Sequence, residues 1–193
     1  MKQKLESIIN KGKMMALAGI MSLVPLTLSS QSLKSYVEPR VGAVIPVSAE
    51  KQTYNPSFLV GVDYGFNVEK IGVGLELGID YFHSSAEYIK TNTLWQKLNL
   101  NFSPFELFLP NAKVKPYLSA GASLLTEFSA IDIPEFGVHD ELSNSTFGLE
   151  FGVGATLFDR INLRAAYTFL PTSENVKGMI TLMLGYRLYL DQK

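Results

Sequence analysis

His83, Ser84 and Ser85, followed by Glu87, come nearest in this sequence to a nucleophilic arrangement. A hydroxyl becomes a nucleophile when an imidazole lies within hydrogen-bond reach and a third group orients that imidazole. Residues i and i+2 share one face of a strand, so His83 can meet Ser85. Glu87 stands only four residues beyond His83, on a stretch that reads as a loop, and has no fixed place as the orienting group. The other histidine, His139, has Asp132, Glu135 and Asp140 for company, without the spacing of a tight metal site. The glycine-rich runs GVGLELG and GVGA lie inside strand-like segments. A phosphate cradle needs a strand–turn–helix context instead. No catalytic residue, metal or cofactor is therefore expected.

More informative are the charges on strand-like alternations. In Ile71 to Phe82, apolar residues at every second position alternate with Gly72, Gly74, Glu76, Gly78 and Asp80. The same rhythm places Glu38, Arg40, Asp63, Lys97, Glu150, Arg164 and Arg187 opposite apolar faces on other segments. Charges in a confined interior need partners, and a satisfied network rigidifies the fold around it. These nine residues are expected to form a nearly neutral interior charge network.

The elements that must position them are eight strands: Tyr36–Ile45, Ser57–Phe66, Ile71–Phe82, Thr93–Ser103, Lys115–Leu125, Ser145–Phe158, Ile161–Phe169 and Lys177–Leu190. Gly, Pro, Asn, Asp or Ser mark most breaks, and no amphipathic helix of normal length intervenes. Even spacing of strands about ten residues long fits a closed barrel or a sandwich. The apolar face can be an interior or a lipid surface. As an interior, it would leave a water-exposed face rich in glycine and poor in lysine. As a lipid surface, it leaves a narrow polar lumen where small residues make room for long charged ones. Backbone groups in lipid must all be paired, so the sheet must close. Ten tilted residues span about 25 Å, the height of an outer-membrane apolar band. The expected fold is an all-β, eight-stranded antiparallel transmembrane β-barrel.

Bulk composition agrees. The chain has 193 residues, 47% hydrophobic and 18% charged, with a net charge of −1, whereas soluble domains carry about 25% charged residues. There is no basic stripe for nucleic acid. Cysteine is absent, which excludes disulfides and thiol chemistry. Lys2, Lys4, Lys11 and Lys13 precede the apolar run Met14 to Leu28, and small residues follow. Residues 1–29 read as a cleavable signal peptide and residues 36–190 as the barrel domain.

Connection lengths orient the barrel. Asn67–Lys70 and the residues from Asp159 are tight turns, and Pro104–Lys115 is a longer, more apolar one. Pro46–Pro56, His83–Asn92, Thr126–Asn144 and Leu170–Val176 form longer loops at the other end. Short periplasmic turns and long external loops are the bacterial arrangement. The longest, Thr126–Asn144, carries Glu127, Asp132, Glu135, Asp140 and Glu141 without a basic residue, and reads as a solvated acidic outer loop. Aromatic residues near strand ends, among them Tyr36, Tyr54, Phe82 and Tyr189, are expected as interfacial girdles. Trp95 shares the face of Lys97, Asn99 and Asn101, inside or near the outer rim, which leaves Gln96 among outward residues.

VEPRVGAVIP, VGVDYGF, VKPYLSAGASL and LEFGVGATLF carry a likeness across Tyr36 to Leu190. The sequence resembles the small eight-stranded outer-membrane β-barrel proteins, which include the OmpA barrel domain and OmpX-like and OmpW-like proteins. It departs from them at the end, where Tyr189 and Leu190 precede Asp191-Gln192-Lys193 in place of a final phenylalanine. It also has no following peptidoglycan-binding domain, so no cell-wall tether is expected. The lipid A deacylases of this type carry a His-x-Ser pair and a distant glutamate, and only His83 and Ser85 echo them. The resemblance implies a non-enzymatic protein of the bacterial outer membrane with a structural or adhesin-like role through its external loops. A narrow pore or transporter of small or hydrophobic solutes is the alternative. Implied partners are outer-membrane lipid and lipopolysaccharide, the outer-membrane insertion machinery and a surface or host ligand at the loops.

Overall fold

The computed structural model describes residues 33–48, 55–68, 71–86, 89–109, 111–133, 138–171 and 176–190. The expected signal peptide, Tyr54, Glu87 and Glu135 lie outside the described residues. The elements are β1 (Leu33–Ser48), β2 (Ser57–Val68), β3 (Val73–Ala86), β4 (Ile89–Phe102), a short helix α1 (Pro104–Phe108), β5 (Val114–Ile133), β6 (Val138–Leu157), β7 (Ile161–Phe169), β8 (Val176–Tyr186) and β9 (Leu188–Tyr189). Consecutive strands pair from β2 to β8, and β1 pairs with both β8 and β2, which closes the sheet. β9 continues the line of β8 past Arg187 and pairs with β1 through Tyr36↔Tyr189. The barrel therefore has eight staves, the last interrupted at Arg187. Among the described residues no helix is long and apolar enough to cross a membrane; the strands do so.

Alternation decides the two faces. On β7, Asn162, Arg164, Ala166 and Thr168 are buried, while Ile161, Leu163, Tyr167 and Phe169 are exposed. β2 buries Ser57, Leu59 and Asp63 and exposes Phe58, Val60, Val62 and Tyr64. A surface that is apolar around the barrel, over a polar inside, is the membrane pattern. At the short-turn end, Gly72 takes a φ of 62°, a backbone shape that favours glycine. Pro104 opens α1, where a missing N–H costs nothing. Phe105, Phe108 and Leu109 are exposed there, apolar enough to seat the turn in the membrane interface.

Two tiers fill the lumen, with a small polar cavity below them. Towards the long-loop end, Val44, Leu59, Phe82, Trp95, Leu125, Leu170, Met179 and Met183 form one apolar cluster. The charged residues occupy the middle. Below them, at the short-turn end, lies a cavity of about 10 Å³ bordered by Asn101, Ser103, Lys115, Tyr117 and Arg187, room for roughly one water. Glycines make this filling possible, because large inward side chains lie over them on neighbouring strands: Tyr36 over Gly65, Asp80 over Gly61 and Tyr117 over Gly154. Gly154→Val drives a branched side chain into the Tyr117 ring. Its expected cost is about 1–3 kcal/mol of overpacking, read as a lower urea midpoint in lipid vesicles.

Three expectations are corrected. Tyr36 and Phe82 are not girdle residues. They are 0% and 3% exposed and point inward, because each shares the parity of an inward charge, Glu38 and Asp80 respectively. Tyr189 likewise packs edge-on against Tyr36, ring centroids 5.9 Å apart. Second, Thr126–Asn144 is not mainly loop: β5 and β6 are 20 residues each, and their ladder continues to Ile133↔Val138. Third, His83–Asn92 is largely hairpin, since β3 and β4 pair as far as Ala86↔Ile89. Above the membrane a strand needs no apolar face, and the register inherited from the barrel carries the pairing outward.

Candidate functional site

The nine inward charges join in a single alternating chain. Asp63 pairs with Arg40 Nη1, and Arg40 Nε reaches Asp80 Oδ1 at 2.7 Å. Lys97 Nζ bridges Asp80 Oδ2 at 2.8 Å and Glu150 Oε2 at 3.3 Å. Arg164 bridges Glu150 Oε1 at 2.7 Å and Glu76 Oε2 at 3.0 Å. Arg187 bridges Glu76 Oε1 at 3.2 Å and Glu38 Oε2 at 2.8 Å. Each cation thus sits between two carboxylates, and the chain begins and ends on an acid. All nine residues are at most 5% exposed. Such charges are tolerated away from bulk water only because every one is paired.

Neutral groups extend the network. Tyr36 donates its hydroxyl to Glu76 Oε1 at 2.6 Å. Asn162 Nδ2 donates to Glu38 Oε1 at 2.7 Å, and Tyr117 donates its hydroxyl to Asn162 Oδ1 at 2.8 Å. Lys97 Nζ lies 3.6 Å from the centroid of the Trp95 ring, a cation–π contact that ties the ionic tier to the apolar one. Trp95 is fully buried, on the inward side. Tyr36, Tyr117 and Asn162 join the network without a charge to mark them in the sequence, and Lys115 pairs with Asp159 at 2.7 Å in the short turn after β6. Parity was the available signal: each lies an even number of residues from an inward charge or another inward polar residue on its strand.

This arrangement can brace a wall: among the described residues each of its five carboxylates already has a cationic partner. The other candidates are dispersed. His83 Nδ1 lies 3.0 Å from Asn92 Oδ1, which also accepts the Tyr81 hydroxyl at 2.7 Å. His83 is exposed on the outward face, whereas Ser84 is on the opposite parity. The side chain of Ser85 is outside the described set. Glu127 faces inward at the top of β5, partly exposed. Asp132 pairs with His139, and Asp140 and Glu141 with Ile131 and Ala130, along the β5–β6 ladder; the side chains of these acids are not described. Among the described residues no three His, Asp or Glu side chains gather around a metal-sized space.

The same closed barrel recurs in known structures. Neisserial surface protein A superposes with a TM-score of 0.54 at 20% identity, over 80% of this chain and 96% of that one. A major outer membrane protein of Thermus thermophilus gives 0.56 at 14% identity, over 81% and 99%. The outer membrane enzyme PagL gives 0.50 at 12% identity, over 79% and 98%. At these identities the likeness is one of fold. No curated protein matches the chain by sequence. The model of the outer membrane protein beta-barrel domain matches residues 14–187. With the lipid-facing girth and charged lumen just described, that match places the protein in the bacterial outer membrane, and the chain belongs to the outer membrane protein beta-barrel domain family.

Proposed function

We propose that the protein is a non-enzymatic surface barrel whose membrane wall anchors an external sheet that engages surface or host ligands. The observation that carries this reading is the reach of β5 and β6. Strands of this length rise roughly 50 Å when tilted, about twice the apolar band. β7 stops at Phe169↔Leu149, so among the described residues Val138–Gly148 of β6 has one edge without a β7 partner. An open edge of paired-strand length is a place where an extended segment of another molecule can add. Outer-membrane lipid covers the apolar wall; lipopolysaccharide, the insertion machinery and a ligand at the external strands are the further partners of this reading.

Cells displaying the barrel with residues 129–142 replaced by Asn-Gly test it, against cells displaying the full chain. The probe is adherence to plates coated with an extracellular-matrix extract. Loss of adherence, with unchanged heat-dependent gel mobility of the barrel, supports the reading. Equal adherence of both overturns it. The pore alternative has its own expected result. The unaltered protein in planar bilayers gives no reproducible channels, because both the apolar and the ionic tier fill the lumen. Steady conductance steps refute the sealed lumen.

A further inference from the structure

Among the described residues Gln96 is the amide set deepest in the outward apolar face; the next on that side of β4, Asn92, stands four residues nearer the long-loop end and accepts the Tyr81 hydroxyl. Gln96 stands between Leu94 and Leu98 along the outward side of β4, and it is flanked across the sheet by Ile79 and Leu124. It lies six residues from Phe102 at the short-turn rim and six from Lys90, the first charge on the outward face above it. Its neighbour Lys97 points the other way, into the ionic tier. No described residue hydrogen-bonds the Gln96 side chain. Hydrocarbon offers no partner either, and an unsatisfied amide in an apolar medium is costly.

We propose that the protein self-associates in the membrane as a two-fold dimer through the face centred on Gln96, with the two Gln96 amides hydrogen-bonded to each other. The geometry of a membrane carries this choice of partner. All copies insert the same way up, so the two-fold axis runs along the membrane normal. Each residue then meets residues of its own depth. In an isologous contact Gln96 meets Gln96. A primary amide both donates and accepts, so the pair is self-complementary. A head-to-tail contact would set it against one of the other outward faces, which at this depth are apolar, and would leave it unsatisfied. The adjoining surface suits close approach. Ala122 and Ala120 stand beside Leu98 and Leu100. At Leu100 and Ala120 the surface sinks into a groove of about 840 Å³ walled by Leu118, Phe151 and Tyr167. Small residues of this kind let membrane elements pack backbone to backbone, with polar groups holding them.

The absence of cysteine makes the test clean. Leu98→Cys, one outward position below Gln96, is oxidised with copper-phenanthroline in native outer membranes. The control is Leu182→Cys on β8, across the barrel and 50% exposed. Heat-dependent mobility verifies that each variant is a closed barrel. The expected result is a disulfide dimer from Leu98→Cys well above the Leu182→Cys background. Adding Gln96→Leu to Leu98→Cys weakens association by roughly 3- to 20-fold, the range measured for hydrogen bonds between membrane-embedded elements. Equal cross-linking at positions 98 and 182 overturns the interface. A Leu98→Cys dimer that Gln96→Leu leaves undiminished overturns the role of the amide.

Discussion

Replacing Arg164 by alanine lowers the unfolding free energy of the barrel in lipid vesicles by about 3–5 kcal/mol, the cost of removing one partner from a buried ion pair. Arg164 holds Glu76 and Glu150, which are 0% exposed. Without it Glu76 keeps only Arg187 and Glu150 only Lys97, so one oxygen of each buried carboxylate loses its cation. Urea titration followed by the single tryptophan, Trp95, reads the change. Arg164→Lys keeps the charge but cannot span both acids as the guanidinium fork does, so its loss is smaller. Pairing Arg164→Gln with Glu150→Gln removes one charge of each sign and recovers part of the loss. An alanine variant within experimental error of the parent shows that water, not pairing, supports these acids.

Trp95→Ala costs a similar amount, about 3–5 kcal/mol, through a different mechanism. Its ring is fully buried in the apolar tier, with the Phe82 ring centroid 6.2 Å away in an edge-to-face arrangement. Truncation leaves a cavity in addition to the lost transfer energy, and Lys97 loses the ring beneath its ammonium. Trp95→Phe keeps most of the volume and loses less. The readout is the temperature at which the heat-shifted gel band converts to the unfolded one. The two variants together ask whether the charged or the apolar tier does more to hold the wall. Similar losses from both mean that neither is a passive filler.

The barrel was legible in the sequence because lipid and lumen impose opposite demands on alternate residues, and period two survives even where glycine replaces a polar group. All nine charges could be assigned to one side by parity alone, without knowing which would touch. Their order was not legible. Arg40 meets Asp63 only because β1 closes against β2, and Arg164 meets Glu76 across the lumen, 88 residues away. Nearness to a strand end suggests a girdle position for Tyr36 and Phe82, but parity governs and turns both inward. Thr126–Asn144 read as loop because pattern-based reasoning recognises a strand by its apolar side, and a hairpin standing in water has no need of one. Gln96 was legible as an oddity, since it broke the outward pattern of β4.

The alternating ionic chain has a consequence for how the barrel is made. Glu76 on β3 receives Arg164 from β7 and Arg187 from beyond β8, and Arg187 also binds Glu38 on β1. A nascent sheet lacking its last staves carries acids whose counter-ions have not yet arrived. Such a sheet cannot rest in hydrocarbon with those acids bare. Assembly is therefore pressed toward a single concerted event, in which the last stave delivers the charge that the third has been waiting for. Arg187, at the break in that final stave, acts as a latch: the wall becomes comfortable in the membrane at the moment it shuts.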